Sequence, residues 1–313
     1  MSAQHRTTVP GTPVSLARSR PRYGESVIKV ILLAAAMVSV ATTIGIVLAL
    51  LEPTIEFFAS VSFGEFFGST DWGPLFNPPA FGVWPLIVAT VEITLIAVVV
   101  AVPLGLASAI YLSEYASHRT RKIFKPVLEV LAGVPTVVFG FFALTFVTPL
   151  LRDLFPFLEL DGKNALAAGL LVGVMIIPIV ASLSEDAMAA VPNGLREGSY
   201  ALGASKMLTS VRVVVPAAFS GIVAAVILAI SRAAGETMIV AIAGGFKSVF
   251  TLYPGDEMST MAAFIAQAGS GDASVGSIAY KTIFAVGSLL FVITFAMNYL
   301  SARMVQKYRE VYD

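Results

Sequence analysis

The stretch Glu197-Gly-Ser-Tyr-Ala-Leu-Gly203, followed ten residues on by Val213-Val-Val-Pro216, decides the fold. It is a polar island between two long apolar runs, near 164–183 and 217–243. From Leu195 to Leu208 the composition predicts a short helix broken near Gly203. Leu195, Tyr200, Leu202 and Leu208 offer apolar contacts, and Arg196, Glu197 and Lys206 offer polar ones. The pattern alone admits a solvated surface helix or a helix that meets a soluble partner.

Working outward, six apolar stretches approach or exceed the roughly 20 residues needed to cross a bilayer. They lie near 28–51, 85–111, 127–150, 164–183, 217–243 and 278–301. Only 13% of the residues are charged and 57% are hydrophobic, against about 25% charged in a soluble domain. The chain reads as an all-α polytopic membrane protein with six transmembrane helices. Lys and Arg gather at Arg6–Lys29, Arg119–Lys125, Arg196–Arg212 and Arg303–Arg309, on alternate sides of the spans. The opposite sides hold only Arg152, Lys163, Lys247 and Lys281, so both termini are expected in the cytoplasm. Residues 1–25, rich in Thr, Ser, Pro and Arg, predict a disordered cytoplasmic tail. Residues 26–313 then form one transmembrane domain, with the island at about 184–215. The first apolar run is too long for a signal peptide and reads as a retained anchor.

Zero net charge gives no reason to expect a nucleic-acid partner, and a chain without cysteine has no thiol chemistry or thiolate metal site. His5 and His118 fall in a polar tail and loop. No cofactor is expected, and no nucleophile–base pair marks a catalytic site. Gly162-Lys163 lacks the preceding glycine of a phosphate-binding loop, since Phe157 stands there, so any nucleotide energy must come from another chain.

Pro103, Pro135 and Pro178 interrupt three spans, and inside a membrane the freed carbonyls need neighbours or water. Gly169 and Gly173 give the small-xxx-small spacing of close helix packing. The loop between the first two spans is aromatic from Phe57 to Trp84, which suits an interfacial belt, a short helix at headgroup depth or a docking lip. After Gly244-Gly245, Asp256 reads as the N-cap of a short helix with Met258, Met261, Ala262 and Ile265 on one face. Residues 302–313 read as a charged tail.

The fifth span contains Ser231-Arg-Ala-Ala-Gly-Glu236-Thr-Met, with two charges four apart on one helix face. Each costs about 2.5–3.5 kcal/mol at the centre of a membrane helix on insertion scales. Arg232 and Glu236 either neutralise each other or face a polar pathway, where a guanidinium fork suits a tetrahedral oxyanion. A nearby carboxylate weakens such binding, as passage requires. Glu92, between Thr90 and Thr94, is a third intramembrane charge and a partner for Arg232 across the bundle. Glu114 and Glu129, near span ends, read as solvated.

Glu197, Gly203 six positions later and Val213-Val-Val-Pro216 together resemble the "EAA" loop of binding-protein-dependent ABC importer permeases. That pattern is Glu-Ala-Ala, three residues, Gly, nine residues, Ile-x-Leu-Pro. Here Gly198 and Ser199 replace the alanines, and Val213 and Val215 replace Ile and Leu. The resemblance implies a type I importer permease fold and a coupling helix seated in the ATPase, with Glu197, Ala201 and Gly203 in that role. The fifth-span motif is similar to that of phosphate-importer permeases. Four further stretches resemble the PstC type: Phe81-Gly-Val-Trp-Pro-Leu-Ile87, Val102-Pro-Leu-Gly-Leu-Ala-Ser-Ala-Ile-Tyr-Leu-Ser-Glu-Tyr115, Gly133-Val-Pro-Thr-Val-Val-Phe-Gly140 and Arg309-Glu-Val-Tyr312. A member of that family sits in the bacterial inner membrane. Its partners are a PstA-like permease, two copies of a PstB-like ATPase and a PstS-like phosphate-binding protein. It passes phosphate by a pathway that Arg232, Glu236 and Glu92 would line. A permease for another oxyanion, such as sulfate or molybdate, and a stand-alone secondary transporter are the competing readings.

Overall fold

The computed structural model describes residues 23–308. Most of the tail predicted over 1–25 lies outside them, as does the Arg309–Tyr312 motif, while Tyr23 already opens the first helix. The chain divides into two compact units between Ala49 and Leu50. In the first, residues 23–49 of α1 (Tyr23–Ser60) form a continuous helix whose apolar side chains are almost all exposed. A helix with an apolar surface all round is stable only in lipid or against other apolar helices.

The second unit is built on α3 (Trp84–Ile110) and α7 (Ala165–Ala189). Pro85 opens α3, where the missing N–H costs nothing, and both helices run on through Pro103 and Pro178. Their contact is lined by small residues. A Cβ on Gly169 would lie 2.7 Å from Ile96 Cβ, and one on Gly173 would lie 3.0 Å from the Ala97 carbonyl oxygen. Ala89, Ile93, Ala97 and Ala101 of α3 and Ala165, Ala168, Val172 and Ile176 of α7 make the buried seam. This close backbone approach is what the small-xxx-small spacing predicts.

Among the described residues, five helical segments are long and apolar enough to span a membrane: Glu25–Ser60, Trp84–Tyr115, Thr136–Leu154, Ala165–Ala189 and Ile278–Lys307. A bent pair, Lys206–Ala217 and Phe219–Ala234, meets at 72° and supplies the sixth. The third span corrects the predicted 127–150. A separate amphipathic helix, α4 (His118–Ala132), ends at Gly133. The span itself begins only at Thr136, as α5 (Thr136–Phe142), a π-helical turn and α6 (Thr148–Leu154). Pro135 sets the boundary, because it biases Val134 away from helical geometry.

On the side expected to face outward, the aromatic loop is half core. Ser62 caps α2 (Phe63–Gly68), and a two-residue ribbon pairs Trp72–Gly73 (β1) with Ala80–Phe81 (β2). Phe57, Phe66, Trp72 and Phe81 are buried and meet edge to face with one another and with Phe264. Phe63 and Phe76 stay exposed. The belt, short-helix and lip readings therefore miss the packing that removes four of these rings from the surface.

Residues 245–260 fold back over the start of α7. The Pro254 and Asp256 carbonyls accept from Leu166 N–H (2.8 Å) and Ala165 N–H (3.1 Å), while Asn164 caps Ala167 N–H. These contacts, with the Asn164 N–H donating to the Ala243 carbonyl (2.8 Å), satisfy all four orphan donors of α7. Gly245 makes the fold-back, with φ +99°, and a Cβ there would lie 2.3 Å from the Glu257 carboxylate. The predicted Asp256 cap is corrected. Asp256 accepts from the Thr251 hydroxyl, and Thr260 caps α12 (Met261–Gln267). The apolar face survives the correction, since Met258, Met261 and Ala262 are buried. The last helix, α13 (Ile278–Tyr308), is fastened to the end of α1 by Lys281–Glu56 at 2.8 Å and Thr54–Ser288 at 2.9 Å. It carries the residues predicted as a charged tail as far as Tyr308.

Candidate functional site

The polar island folds as α8 (Asn193–Ala201) and a single turn, α9 (Lys206–Thr209). Gly203 separates them. Its φ is +79°, Gly203 N–H donates to the Tyr200 carbonyl, and Ala204 N–H donates to that of Ser199. This is the paired 5→2 and 6→1 closure of a Schellman motif with glycine at C′. Ser205 then caps α9 through Leu208 N–H.

No residue of α8 is buried, and Glu197, Ala201 and Gly203 all face outward. Around them Leu202 is 90% exposed and Met207 70%. These are apolar side chains standing out of an otherwise polar segment.

What fixes this segment is polar. Arg196 donates to the Met188 carbonyl (2.8 Å), the Val191 carbonyl (2.6 Å) and the Glu114 carboxylate (2.9 Å). Glu114, predicted as solvated, is buried at the π-helical end of α3, because the Arg196 guanidinium compensates its charge. Glu129 remains exposed. Three residues before Met188, the buried Glu185 holds both Arg121 and Lys125 of α4. In the sequence Glu185 falls inside the polar island of 184–215, and its local neighbourhood offers no partner. The clue was the pair of cations four apart in the preceding inner loop, Arg121 and Lys125, matched to a carboxylate at a span end.

The second locus is the fifth span. Predicted as continuous over 217–243, it is broken. Helix α11 (Phe219–Ala234) ends at Gly235, and helical geometry resumes at Met238, running through a π-helical turn to Gly244. Glu236 lies in the gap and is 3% exposed. Its Oε1 accepts from Met238 N–H (3.1 Å) and Ile239 N–H (3.4 Å), and its Oε2 from Arg232 Nη1 (3.0 Å). The carboxylate thus caps the second half-helix and closes on the arginine that ends the first. The Arg232 side chain stays 46% exposed, and among the described residues four of its five donors have no protein bond. Chemically, this is a guanidinium fork with one leg tethered, able to exchange its partner for a mobile anion.

Glu92 does not join it. The structure pairs Arg232 with Glu236, and the half-buried Glu92 has an Oε2 atom without a hydrogen-bond partner. Gly140 lets α5 approach the second half-helix, where an added Cβ would stand 3.2 Å from the Met238 carbonyl oxygen. A cavity of about 440 Å³ lies elsewhere, against Asp71, Trp72, Phe76 and Phe250. Among the described residues no cluster of three or more His, Asp or Glu side chains is placed to hold a metal.

Residues 101–306 match the model of the binding-protein-dependent transport system inner membrane component family. The Bacillus subtilis "Probable ABC transporter permease protein YqgH" is 36% identical over 88% of this chain and 90% of its own. The Mycobacterium tuberculosis "Phosphate transport system permease protein PstC 1" is 33% identical over 78% of this chain and 82% of its own. A solved bacterial alginate ABC transporter in complex with a pentasaccharide-bound periplasmic protein superposes with a TM-score of 0.63. It covers 94% of this chain and 100% of that one, at 14% identity, a likeness of fold alone.

Proposed function

The chain belongs to the binding-protein-dependent transport system inner membrane component family, with the six-helix fold of type I ABC importer permeases, and from that premise we propose that it is the permease subunit of an ATP-driven phosphate importer. It is a multi-pass inner-membrane protein. Both termini are cytoplasmic, as the distribution of Lys and Arg argues. A second, PstA-like permease completes the pathway, two PstB-like ATPase subunits supply the energy, and a PstS-like binding protein delivers phosphate. The phosphate assignment draws on the relatives named as phosphate permeases.

Coupling passes through α8. Glu197, Ala201 and Gly203 sit in a cleft of the ATPase, with Leu202 and Met207 as apolar contacts. ATP binding closes the ATPase dimer and moves α8, and the pathway opens outward to accept phosphate. Hydrolysis returns it inward.

The observation that carries the substrate class is the break at Gly235. It sets a half-exposed guanidinium in the fifth span beside a carboxylate that already has two backbone donors of its own. Phosphate oxygens exchange with Glu236 for the guanidinium fork. The carboxylate stays on its half-helix and takes the arginine back when the anion leaves. Glu92 lies two to three turns into α3 and keeps its role as a pathway carboxylate without an arginine partner. The test is Arg232→Gln in the reconstituted complex. Lost phosphate uptake with assembly and basal ATP hydrolysis intact supports the site, and unchanged uptake removes it. Uptake that excess sulfate blocks and excess phosphate does not would transfer the pathway to the other oxyanion.

A further inference from the structure

Helices α4 and α8 share an unusual property: neither buries a side chain of its own. Apolar packing on them is confined to partly buried residues such as Leu131 at the end of α4, so directed polar contacts fix the rest of their positions. Both sets of contacts converge on residues 185–191, the inner end of α7 and the turn after it. Glu185 takes Arg121 and Lys125 from α4, the latter at 3.0 Å, and Asp186 takes Lys125 at 2.7 Å. A turn later the Met188 and Val191 carbonyls take Arg196 of α8, which also reaches Glu114 at the end of α3.

Exposed ion pairs are slack and contribute little. These differ because the carboxylates are withdrawn from water: the Glu185 side chain is 1% exposed and that of Glu114 3%. A buried carboxylate holds its partner through short, directional, charge-assisted bonds, and loss of that partner strands a charge. The planar guanidinium of Arg196, tied to two carbonyls and a carboxylate, fixes the orientation of α8 as well as its distance. An ammonium on the same stem would fix distance alone.

We infer that Arg196 and Glu185 are positioning residues that make 185–191 a rigid joint between the coupling helix and the pathway helices. The inference rests on the coupling role proposed for α8. When α8 is displaced, Arg196 leaves no slack, so the displacement enters α3 and α7. Glu185 passes it to α4, which leads through Gly133–Pro135 into the third span. That span packs by Gly140 against the half-helix that Glu236 caps.

The test uses the complete importer in proteoliposomes, reading phosphate uptake and ATP hydrolysis with and without the binding protein. Arg196→Gln is expected to assemble and hydrolyse ATP at the basal rate. Its uptake per ATP falls about tenfold and stimulation by the binding protein is lost. Arg196→Lys restores part of both. Glu185→Gln gives the same fall while leaving every Arg196 contact in place, so it decides the matter if Arg196→Gln does not assemble. Normal uptake per ATP in either assembled glutamine variant overturns the inference. So does a proportional loss of uptake and hydrolysis, the mark of a merely structural defect. Leu202→Cys in this cysteine-free chain separates the two levels. Failure to cross-link to the ATPase removes the coupling role of α8 and the joint with it. Cross-linking with normal uptake per ATP in the glutamine variants removes only the joint.

Discussion

Replacing Gly203 separates two reasons for a glycine at the end of α8. The first is conformational: φ is +79° and two backbone bonds close the helix around it. The second is steric: a partner surface leaves no room for a side chain. Within this chain a Cβ at Gly203 meets no heavy atom within 4 Å, so the internal cost is conformational alone. For an alanine it is about 1–2 kcal/mol, the left-handed penalty of an L-residue. That is about a 5–30-fold loss in the population of the closed helix end. Asparagine tolerates this region far better than other non-glycine residues, and valine tolerates it worst. The conformational account therefore orders coupled phosphate uptake as Gly, then Asn, then Ala, then Val, although asparagine is larger than alanine. The assay is uptake per ATP in proteoliposomes for the four proteins at equal assembly. Alanine outperforming asparagine would refute the reasoning and show that space against the ATPase, not backbone geometry, selects glycine.

Three further outcomes follow from the geometry. Glu236→Gln keeps an oxygen for the Met238 and Ile239 N–H groups but removes the charge facing Arg232, so phosphate is held more tightly and maximal uptake falls; equilibrium phosphate binding and initial uptake rates check both. Gly245→Ala meets the Glu257 carboxylate and an unfavourable φ together, and is expected to lower stability by about 1–3 kcal/mol, read as a drop in thermal midpoint in detergent. Gly169→Val drives branched carbons into Ile96 at the seam of α3 and α7; overpacking of that kind costs about 1–3 kcal/mol and reduces the folded yield, while the same change at Gly162, where nothing lies within 4 Å, does not.

The legible and illegible parts of the fold divide by physical range. Apolar runs long enough to cross a bilayer are a local property, so the first, second, fourth and sixth spans appear close to where hydropathy puts them. Gly203 was legible for the same reason, since a helix stop is encoded in the residues that make it. The error at the third span is also local. Ile123, Phe124, Val127, Val130 and Leu131 form one apolar stripe on α4, and a hydropathy window cannot tell a stripe from a span. At Asp256 and Thr260 two capping residues stood four apart. The choice fell to the fold-back at Gly245, which lies outside any local window. The charges were hardest to read. Arg232 and Glu236 were visible as a pair because four residues separate them. Glu185 met its cations across about 60 residues of chain, and nothing in its neighbourhood named them.

The break at Gly235 gives those two intramembrane charges a common explanation. An unpaired charge in a span is costly, and a continuous helix would leave Glu236 to satisfy Arg232 with solvent-free geometry and nothing else. Ending α11 at Gly235 frees the N–H groups of Met238 and Ile239, and the Glu236 carboxylate takes them. The carboxylate then has backbone donors whether or not the arginine is present, so releasing Arg232 strands neither group completely. On the proposed pathway role, an anion entering beside Arg232 would exchange one charge-assisted bond for another instead of making one anew. Exchange of this kind keeps the binding energy small enough for departure, which is the condition a pathway has to meet.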